Sequence, residues 1–332
     1  MKKLAILFSL ALVAATSTLA LAESKVHTLK LQSYYGTNML NAEKAFAKLV
    51  EEKSGGAIRI EVYSGGELVP SSQILSAVKT GTIDMGRGMG HHFTESKIGS
   101  IESGLPMSWT TADEAQAIYE KYGLRKVIEE EYASLGVKYL GPVWAAPYHF
   151  LGKRPINSVN TMRAMKIRAV GASAKMLKKL NINPVNVPVE DIYLSLTTGQ
   201  IDGVLYGSAF EYKETKFYEG ARFFNNTPIL DPIVDTLVIN KKAWEALTAE
   251  QQAILQGAAD ELRWSYYRWI TGQDQETLGE LFKNTTTRFS EADMKEMTRA
   301  ALTVWNEESK KSPRNRQAIE IIKKAAKDAG RL

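Results

Sequence analysis

The 332-residue chain contains no cysteine. Disulfides, thiolate metal ligands and a thiol nucleophile are therefore excluded, and stability must come from apolar burial. Histidine is also scarce, with four residues, and the chain has no phosphate-binding loop, dinucleotide-binding fingerprint or nucleophile-elbow motif. The sequence thus offers no recognisable catalytic machinery, although a spatial triad would not show as a motif.

Long apolar runs are absent after the first residues. No later segment approaches the 18 uninterrupted apolar residues that suggest a membrane-spanning helix. Residues 1–22 combine Lys2 and Lys3 with a short apolar run and end on Ala-Leu-Ala, which is the pattern of a secretory signal peptide. We expect cleavage after Ala22 and a soluble secreted protein that is not embedded in the membrane.

Charge of one sign does not dominate. Removing Lys2 and Lys3 lowers the formal net charge from +5 to +3, which creates no field that would attract nucleic acid. The basic residues between Lys310 and Lys327 are interleaved with acidic ones such as Glu320, as on a solvated helix face. We therefore expect no nucleic-acid partner.

The most informative feature present is a repeated segment. Residues 69–84 read VPSSQILSAVKTGTID, and 118 positions later residues 187–202 read VPVEDIYLSLTTGQID. In both copies Pro opens a helix, Thr-Gly ends it and Ile-Asp enters a strand. Two such βαβ units favour two similar lobes with a ligand cleft at the carboxyl ends of their strands. The alternative is chance, because the helix-to-strand turn is a common one.

Hydrophobic periodicity predicts an alternation of strands and helices around both copies. The predicted strands are 28–33, 58–63, 137–144, 166–170 and 235–240, and the predicted helices are 41–53, 112–122, 124–134 and 172–180. Thr248 and Gln251 form a capping box for a long helix. Its apolar stripe allows it to run to Phe282, although Gly257, Gly272 and Gly279 weaken a helix of that length. We expect an α/β fold with two lobes, lobe I from residues 23–145 and 235–270 and lobe II from residues 146–234 and 271–332. The long helix should brace both.

Arg168 is the main candidate for ligand binding. It lies inside an apolar strand, directly before Gly171 and a predicted helix. The N-terminus of a helix favours anions, and the planar guanidinium can hold a carboxylate through two charge-assisted hydrogen bonds. An internal ion pair or a solvated strand edge would explain the same pattern.

Several motifs along the chain match one family of transport proteins. They are EEKSGG at 51–56, PINS at 155–158, MRAMKIR at 162–168, DIY at 191–193, TGQIDG at 198–203 and LVINK at 237–241. Together they resemble the substrate-binding proteins of TRAP transporters, the DctP family. The resemblance covers nearly the whole chain after residue 22. It implies a two-lobed periplasmic binding protein fold, an organic acid held by Arg168, delivery to the TRAP permease membrane subunits, no cofactor and no catalysis.

The chain departs from that family at two places. Sialic-acid-type members carry a second arginine where this chain has Tyr148. After the Asp-Gly pair many members read Glu-Asn-Pro, where this chain reads Val204, Leu205, Tyr206 and Gly207. A branch of the family has an aromatic residue followed by glycine there, which Tyr206 and Gly207 resemble. These differences imply a less polar pocket, so we expect a monocarboxylate with an apolar or aromatic tail.

The remaining cleft candidates follow strand ends that should face the gap between the lobes. With Arg168 they are Tyr34, Tyr35, Met89, His91, His92, Trp144, Tyr148, Tyr206 and Gly207. An aromatic residue is more often core than ligand contact, and a metal site at the histidine pair is not indicated because His91, His92 and Glu95 fall on different faces.

Two other classes of function remain open at this point. A secreted hydrolase or lyase would use His91 or His92 with a nearby carboxylate. A binding protein could also serve another type of transporter or a sensor kinase.

Overall fold

The computed structural model describes residues 26–332. The predicted signal peptide, residues 1–22, lies outside the described residues. The strands are β1 (His27–Ser33), β2 (Ile58–Tyr63), β3 (Met85–Met89), β4 (Val137–Trp144), β5 (Tyr148–Gly152), β6 (Ile167–Arg168), β7 (Pro184–Val185), β8 (Gly203–Leu205), β9 (Phe223–Leu230), β10 (Val234–Asn240) and β11 (Thr286–Thr287). The α-helices are α1 (Asn41–Lys53), α2 (Ile74–Thr80), α3 (Gly99–Glu102), α4 (Ala112–Gln116), α5 (Leu124–Ser134), α6 (Val159–Arg163), α7 (Gly171–Lys179), α8 (Ile192–Thr198), α9 (Ala209–Glu214), α10 (Lys241–Glu245), α11 (Ala249–Thr277), α12 (Glu291–Glu308) and α13 (Pro313–Asp328).

The strands form two mixed sheets, one in each lobe, and this confirms the predicted two-lobed α/β fold. The first sheet has the order β2-β1-β3-β10-β4, and the second has the order β7-β6-β8-β5-β9-β11. In both sheets the first three strands are parallel and the fourth runs antiparallel to them. The fourth strands are β10 and β5. Each follows a crossing of the chain from the other sheet, β10 after β9 and β5 after β4.

The two repeat copies have the same local structure. Gly81 ends α2 and Gly199 ends α8, with φ angles of 80° and 79° that favour glycine. The Asp84 side chain then accepts the backbone N–H of Lys30, and the Asp202 side chain accepts that of Lys166, both at 2.8 Å. Each aspartate thereby fixes the end of its helix-to-strand turn to the neighbouring parallel strand.

The predicted long helix is confirmed. Thr248 and Gln251 form the capping box at its start, and a π-helical segment extends α11 to Phe282. The helix packs against α1 and β4 of the first lobe and against α9 of the second, so it braces both lobes. No helix within residues 26–332 is long and apolar enough to cross a bilayer.

The C-terminal helices pack on different lobes. The helix α12 contacts α6 and α7 of the second lobe, and α13 contacts α3 and α5 of the first. The exact division of the chain between the lobes stays a proposal, and these contacts favour placing α13 with lobe I. The strand predicted at 166–170 is shorter, because only Ile167 and Arg168 pair with both neighbouring strands.

Candidate ligand-binding site

A cleft of about 490 Å³ opens between the lobes. The first lobe lines it with Tyr34, Tyr35, Gly36, Asn38, Met39, Met89, His91 and His92. The second lobe lines it with Tyr148, Arg168, Val170, Val189, Tyr206, Glu211, Glu214 and Thr215. Since the parallel strands β1, β3, β6 and β8 all end at this edge of their sheets, the cleft lies where an open α/β sheet binds its ligands.

Arg168 lies at the end of β6 with 5% of its surface exposed. Its Nε donates to the Val187 carbonyl at 3.1 Å, and Nη1 donates to the Leu205 carbonyl at 3.4 Å. Burial lowers the pKa of Arg168 below its ordinary value, and among residues 26–332 it has no carboxylate partner. The two carbonyls therefore orient the guanidinium. Its Nη2 group and its Nη1–Nη2 edge remain available to an anion in the cleft.

Tyr148 and Tyr206 form the aromatic wall beside Arg168. Tyr148 begins β5, and the backbone N–H of Tyr206 donates to the Tyr212 hydroxyl at 3.1 Å. Burial raises the pKa of Tyr206 to about 12 and raises that of Tyr148 still further above its ordinary value. Both hydroxyls are therefore protonated at neutral pH and can donate hydrogen bonds to a ligand.

Tyr34 and Tyr35 form the opposite wall, directly after β1. Their ring centroids are 4.1 Å apart, and the Tyr34 hydroxyl donates to Asp235 at 3.3 Å. Burial raises the pKa of both tyrosines well above the ordinary value. This wall therefore offers aromatic ring faces to the cleft, while the Tyr34 hydroxyl is engaged by Asp235.

Arg87 lies behind that wall, fully buried on β3. Nη1 is 2.8 Å from Glu43, and Nη2 is 2.9 Å from Asp235. Its guanidinium also stacks over the rings of Tyr35 and Tyr266, at 4.8 and 4.4 Å from the centroids. Burial alone would lower the pKa of Arg87, but the two carboxylates raise it well above its ordinary value. This charge is neutralised inside the protein, and Arg87 was not predicted from the sequence.

His91 and His92 lie at the cleft after β3, with ring centroids 4.2 Å apart. The surrounding protein desolvates both rings, which lowers the pKa of each, and His92 lowers that of His91 further. Among the described residues no carboxylate is hydrogen-bonded to either ring. The histidine–carboxylate pair that the hydrolase hypothesis needs is thus not formed in this part of the chain.

Two of the predicted site residues do not line the cleft. Trp144 is fully buried in the core of the first lobe, where its ring packs against Tyr119 and Trp264 at centroid distances of 5.1 and 6.0 Å. Gly207 accepts the His149 N–H through its carbonyl, and a Cβ at this position would lie 2.2 Å from Glu211 Oε2. Gly207 therefore serves the site indirectly, because it leaves room for the Glu211 carboxylate.

The carboxylates of α9 were not predicted from the sequence. Glu211 is partly buried at the cleft, and its Oε2 accepts the Ser208 N–H at 3.0 Å in a capping box. Burial raises the pKa of Glu211 to about 7. Glu214 lies one turn further on, at the exposed rim. The Ser-x-x-Glu pattern was readable as a helix start, but nothing in it indicates that the acid faces a ligand.

Comparison with known protein families gives one extended match. The sequence profile of DctP, described as bacterial extracellular solute-binding protein, family 7, matches residues 34–311. The monocarboxylate 2-oxoacid-binding periplasmic protein of a Nostoc species is 25% identical over 281 residues, which cover 82% of this chain and 76% of that protein.

Solved structures share the fold at lower identity. A TRAP periplasmic solute-binding protein from Rhodobacter sphaeroides, in an open form without ligand, has a TM-score of 0.81 at 21% identity. The match covers 92% of this chain and 99% of the Rhodobacter chain. Another from Pseudoalteromonas atlantica, with bound sodium and pyruvate, has a TM-score of 0.77 at 22% identity. That match covers 92% of this chain and 95% of the Pseudoalteromonas chain.

Proposed function

Because the chain belongs to the bacterial extracellular solute-binding proteins of family 7, which serve TRAP transporters, we propose that it captures a monocarboxylate with an apolar or aromatic tail. The acid is bound between the lobes and delivered to the TRAP permease subunits in the membrane. The proposal rests on one observation above all. Arg168 is a buried cation at the cleft whose charge no carboxylate within residues 26–332 balances.

The energetics favour an anionic ligand at Arg168. A hydrogen bond to a charged group contributes about 1.5–3 kcal/mol, whereas a micromolar ligand requires about 8 kcal/mol in total. The carboxylate at Arg168 therefore orients the ligand and supplies part of the affinity. The remainder comes from burial of the tail against the rings of Tyr34, Tyr35, Tyr148 and Tyr206. The name of the Nostoc relative, a monocarboxylate 2-oxoacid-binding protein, supports a monocarboxylate as the ligand.

Hinge closure would complete the site. The chain crosses between the sheets after β4 and after β9, and α11 packs on both lobes, so a rotation at these few connections can narrow the cleft. The second lobe would hold the carboxylate at Arg168, and the first would close over the tail with Tyr34, Met89 and His91. The protein would act in the periplasm after removal of its signal peptide.

The alternatives have no comparable support. Family 7 proteins bind solutes and are not enzymes, and the histidine pair lacks a carboxylate partner among the described residues. A receptor for another transporter or a sensor kinase would share this cleft. Genes for one large and one small membrane protein beside this one would favour the TRAP permease over those partners.

A panel of organic acids tests the proposal through thermal stabilisation. A ligand that binds only the native state raises its melting temperature, so monocarboxylates with apolar tails should stabilise the wild-type protein. Arg168→Ala should fold normally and lose about a hundredfold or more in affinity by calorimetry. Arg163→Ala is the matched control, because Arg163 also donates to a carbonyl in this lobe but pairs with Glu296 outside the cleft. Unchanged affinity in Arg168→Ala would contradict the proposal.

A further inference from the structure

Glu211 is a second ionisable group at the cleft that has no oppositely charged partner in the described part of the chain. It lies in the first turn of α9, and one carboxylate oxygen, Oε2, accepts the Ser208 N–H at 3.0 Å. The other oxygen, Oε1, has no hydrogen-bond partner among the described residues, and no Lys or Arg in that part of the chain forms an ion pair with Glu211. Gly207 lets this carboxylate approach the backbone, since a side chain there would meet it.

Arg168 and Glu211 act on the same two tyrosines. Arg168 lowers the pKa of Tyr148 and of Tyr206, whereas Glu211 raises both, so the two charges flank the same aromatic wall. They nevertheless form no ion pair with each other, because Arg168 bonds to the carbonyls of Val187 and Leu205. Among residues 26–332 the cleft thus presents a cation without a carboxylate partner and a carboxylate without a cation partner, at separate positions.

A ligand that matched only the cation would leave the carboxylate unsatisfied. On closure, an apolar group placed against the Glu211 carboxylate would remove water from it without replacing the lost hydrogen bond, which is costly, and a carbonyl oxygen would be accepted only at the cost of protonating the carboxylate. A hydroxyl or a protonated amine would supply that bond. The same pairing would reject an otherwise similar acid that lacks the donor.

We propose, resting on the function proposed above, that Glu211 determines specificity: the ligand is an organic acid that carries a hydroxyl or protonated amine in addition to its carboxylate. The carboxylate binds Arg168, and the donor binds Glu211 Oε1. The raised pKa of Glu211, about 7, agrees with a carboxylate that burial has deprived of water and that no cation in the described chain compensates. The apolar or aromatic tail keeps its place against the tyrosines.

Glu211→Gln separates the proposed role of Glu211 in ligand binding from its role in the capping box that begins α9. The capping box of α11 uses Gln251 at the same position, where its Oε1 accepts the Thr248 N–H at 2.9 Å. A glutamine at 211 can therefore preserve the start of α9 while removing the negative charge. Asp293→Asn is the matched control, because Asp293 closes the capping box of α12 with Ser290 and is not among the residues that line the cleft.

The experiment compares acids that share one carbon skeleton. Calorimetry in the presence of EDTA would use 3-phenyllactate, phenylalanine, phenylpyruvate and 3-phenylpropanoate, together with the four corresponding 4-methylpentanoate compounds. The wild type should bind the hydroxy or amino acid about tenfold or more tightly than the matching oxo acid or unsubstituted acid. Glu211→Gln should lose this preference, and Asp293→Asn should keep it. The tighter of the hydroxy and amino acids identifies the donor.

Several results would overturn the inference. Equal or tighter binding of the oxo acid by the wild type would exclude selection by Glu211. A preference that persists in Glu211→Gln would do the same. Tight binding of the oxo acid only when calcium replaces EDTA would assign Glu211 to a cation rather than to a ligand donor. If no acid binds, or if Arg168→Ala binds them all as well as wild type, the proposed function itself fails.

Discussion

Arg87 in the first lobe and Arg168 in the second are both buried beside the cleft, but their surroundings differ. Arg87 is held by Glu43 and Asp235 at 2.8 and 2.9 Å, so its charge is balanced within the protein. Arg168 meets only carbonyl oxygens among the described residues. Burial and charge are alike, and the difference in partners separates an arginine that maintains the fold from one that can bind an anion.

Loss of Arg87 should have the largest effect on stability. Arg87→Ala would leave two buried carboxylates without their cation, which typically costs about 3–5 kcal/mol. Arg168→Ala removes no ion pair and should cost about 1 kcal/mol or less. Urea unfolding of both variants without ligand measures the difference. Equal losses of unfolding free energy would break the comparison, because they would assign Arg168 a structural role as well.

Glu102 extends the comparison of buried groups with and without a partner to a carboxyl group. It is fully buried, and no cation among residues 26–332 pairs with it. It accepts hydrogen bonds from Tyr132 at 2.7 Å and from Thr236 at 2.6 Å, and burial raises its pKa to about 7. A carboxyl group with a raised pKa stabilises the fold below its unfolded pKa, near 4.5, and loses that contribution as the pH rises through about 7.

The corresponding variant is Glu102→Gln. Because glutamine does not ionise, the wild type should lose unfolding free energy relative to this variant between pH 5 and pH 8. Urea unfolding at several pH values in that window measures the slope. A difference between the two proteins that does not change with pH would show that Glu102 keeps an ordinary pKa.

Substitutions of Asp84 and Asp202 test whether the two repeat copies are equivalent. Their expected effect on the unfolding free energy is the smallest of those considered. Each accepts a backbone N–H of the neighbouring strand at 2.8 Å. Asp84→Ala and Asp202→Ala should therefore each cost about 1 kcal/mol, by similar amounts, in urea unfolding. The asparagine variants retain an acceptor oxygen and should cost less. A loss in one lobe alone would mean that the repeat copies are not energetically equivalent.

Features encoded in local sequence were predictable. Proline, glycine and apolar spacing fix the repeat turns, and the strand ends bring Tyr34, Met89, Tyr148 and Arg168 to one cleft. For Tyr34, Met89 and Arg168 the reason is that parallel strands present their carboxyl ends at one edge of the sheet.

Features that depend on distant partners were not predictable. Arg87 pairs with Asp235, which lies 148 positions away, and no local pattern links them. Trp144 was wrongly expected in the cleft, because β4 is buried on both faces and alternation along the strand does not reveal which side a residue faces. Glu211 carries a clear capping signal, but its exposure to the cleft depends on the fold around α9.

The most direct test of the central claim is a crystal structure with the tightest acid from the panel or with the ligand that co-purifies. The account predicts that the ligand carboxylate lies between the lobes and accepts hydrogen bonds from the Nη1–Nη2 edge of Arg168, at about 2.7–2.9 Å. A ligand whose carboxylate is bound elsewhere, with the Arg168 guanidinium still bonded only to the carbonyls of Val187 and Leu205, would contradict it.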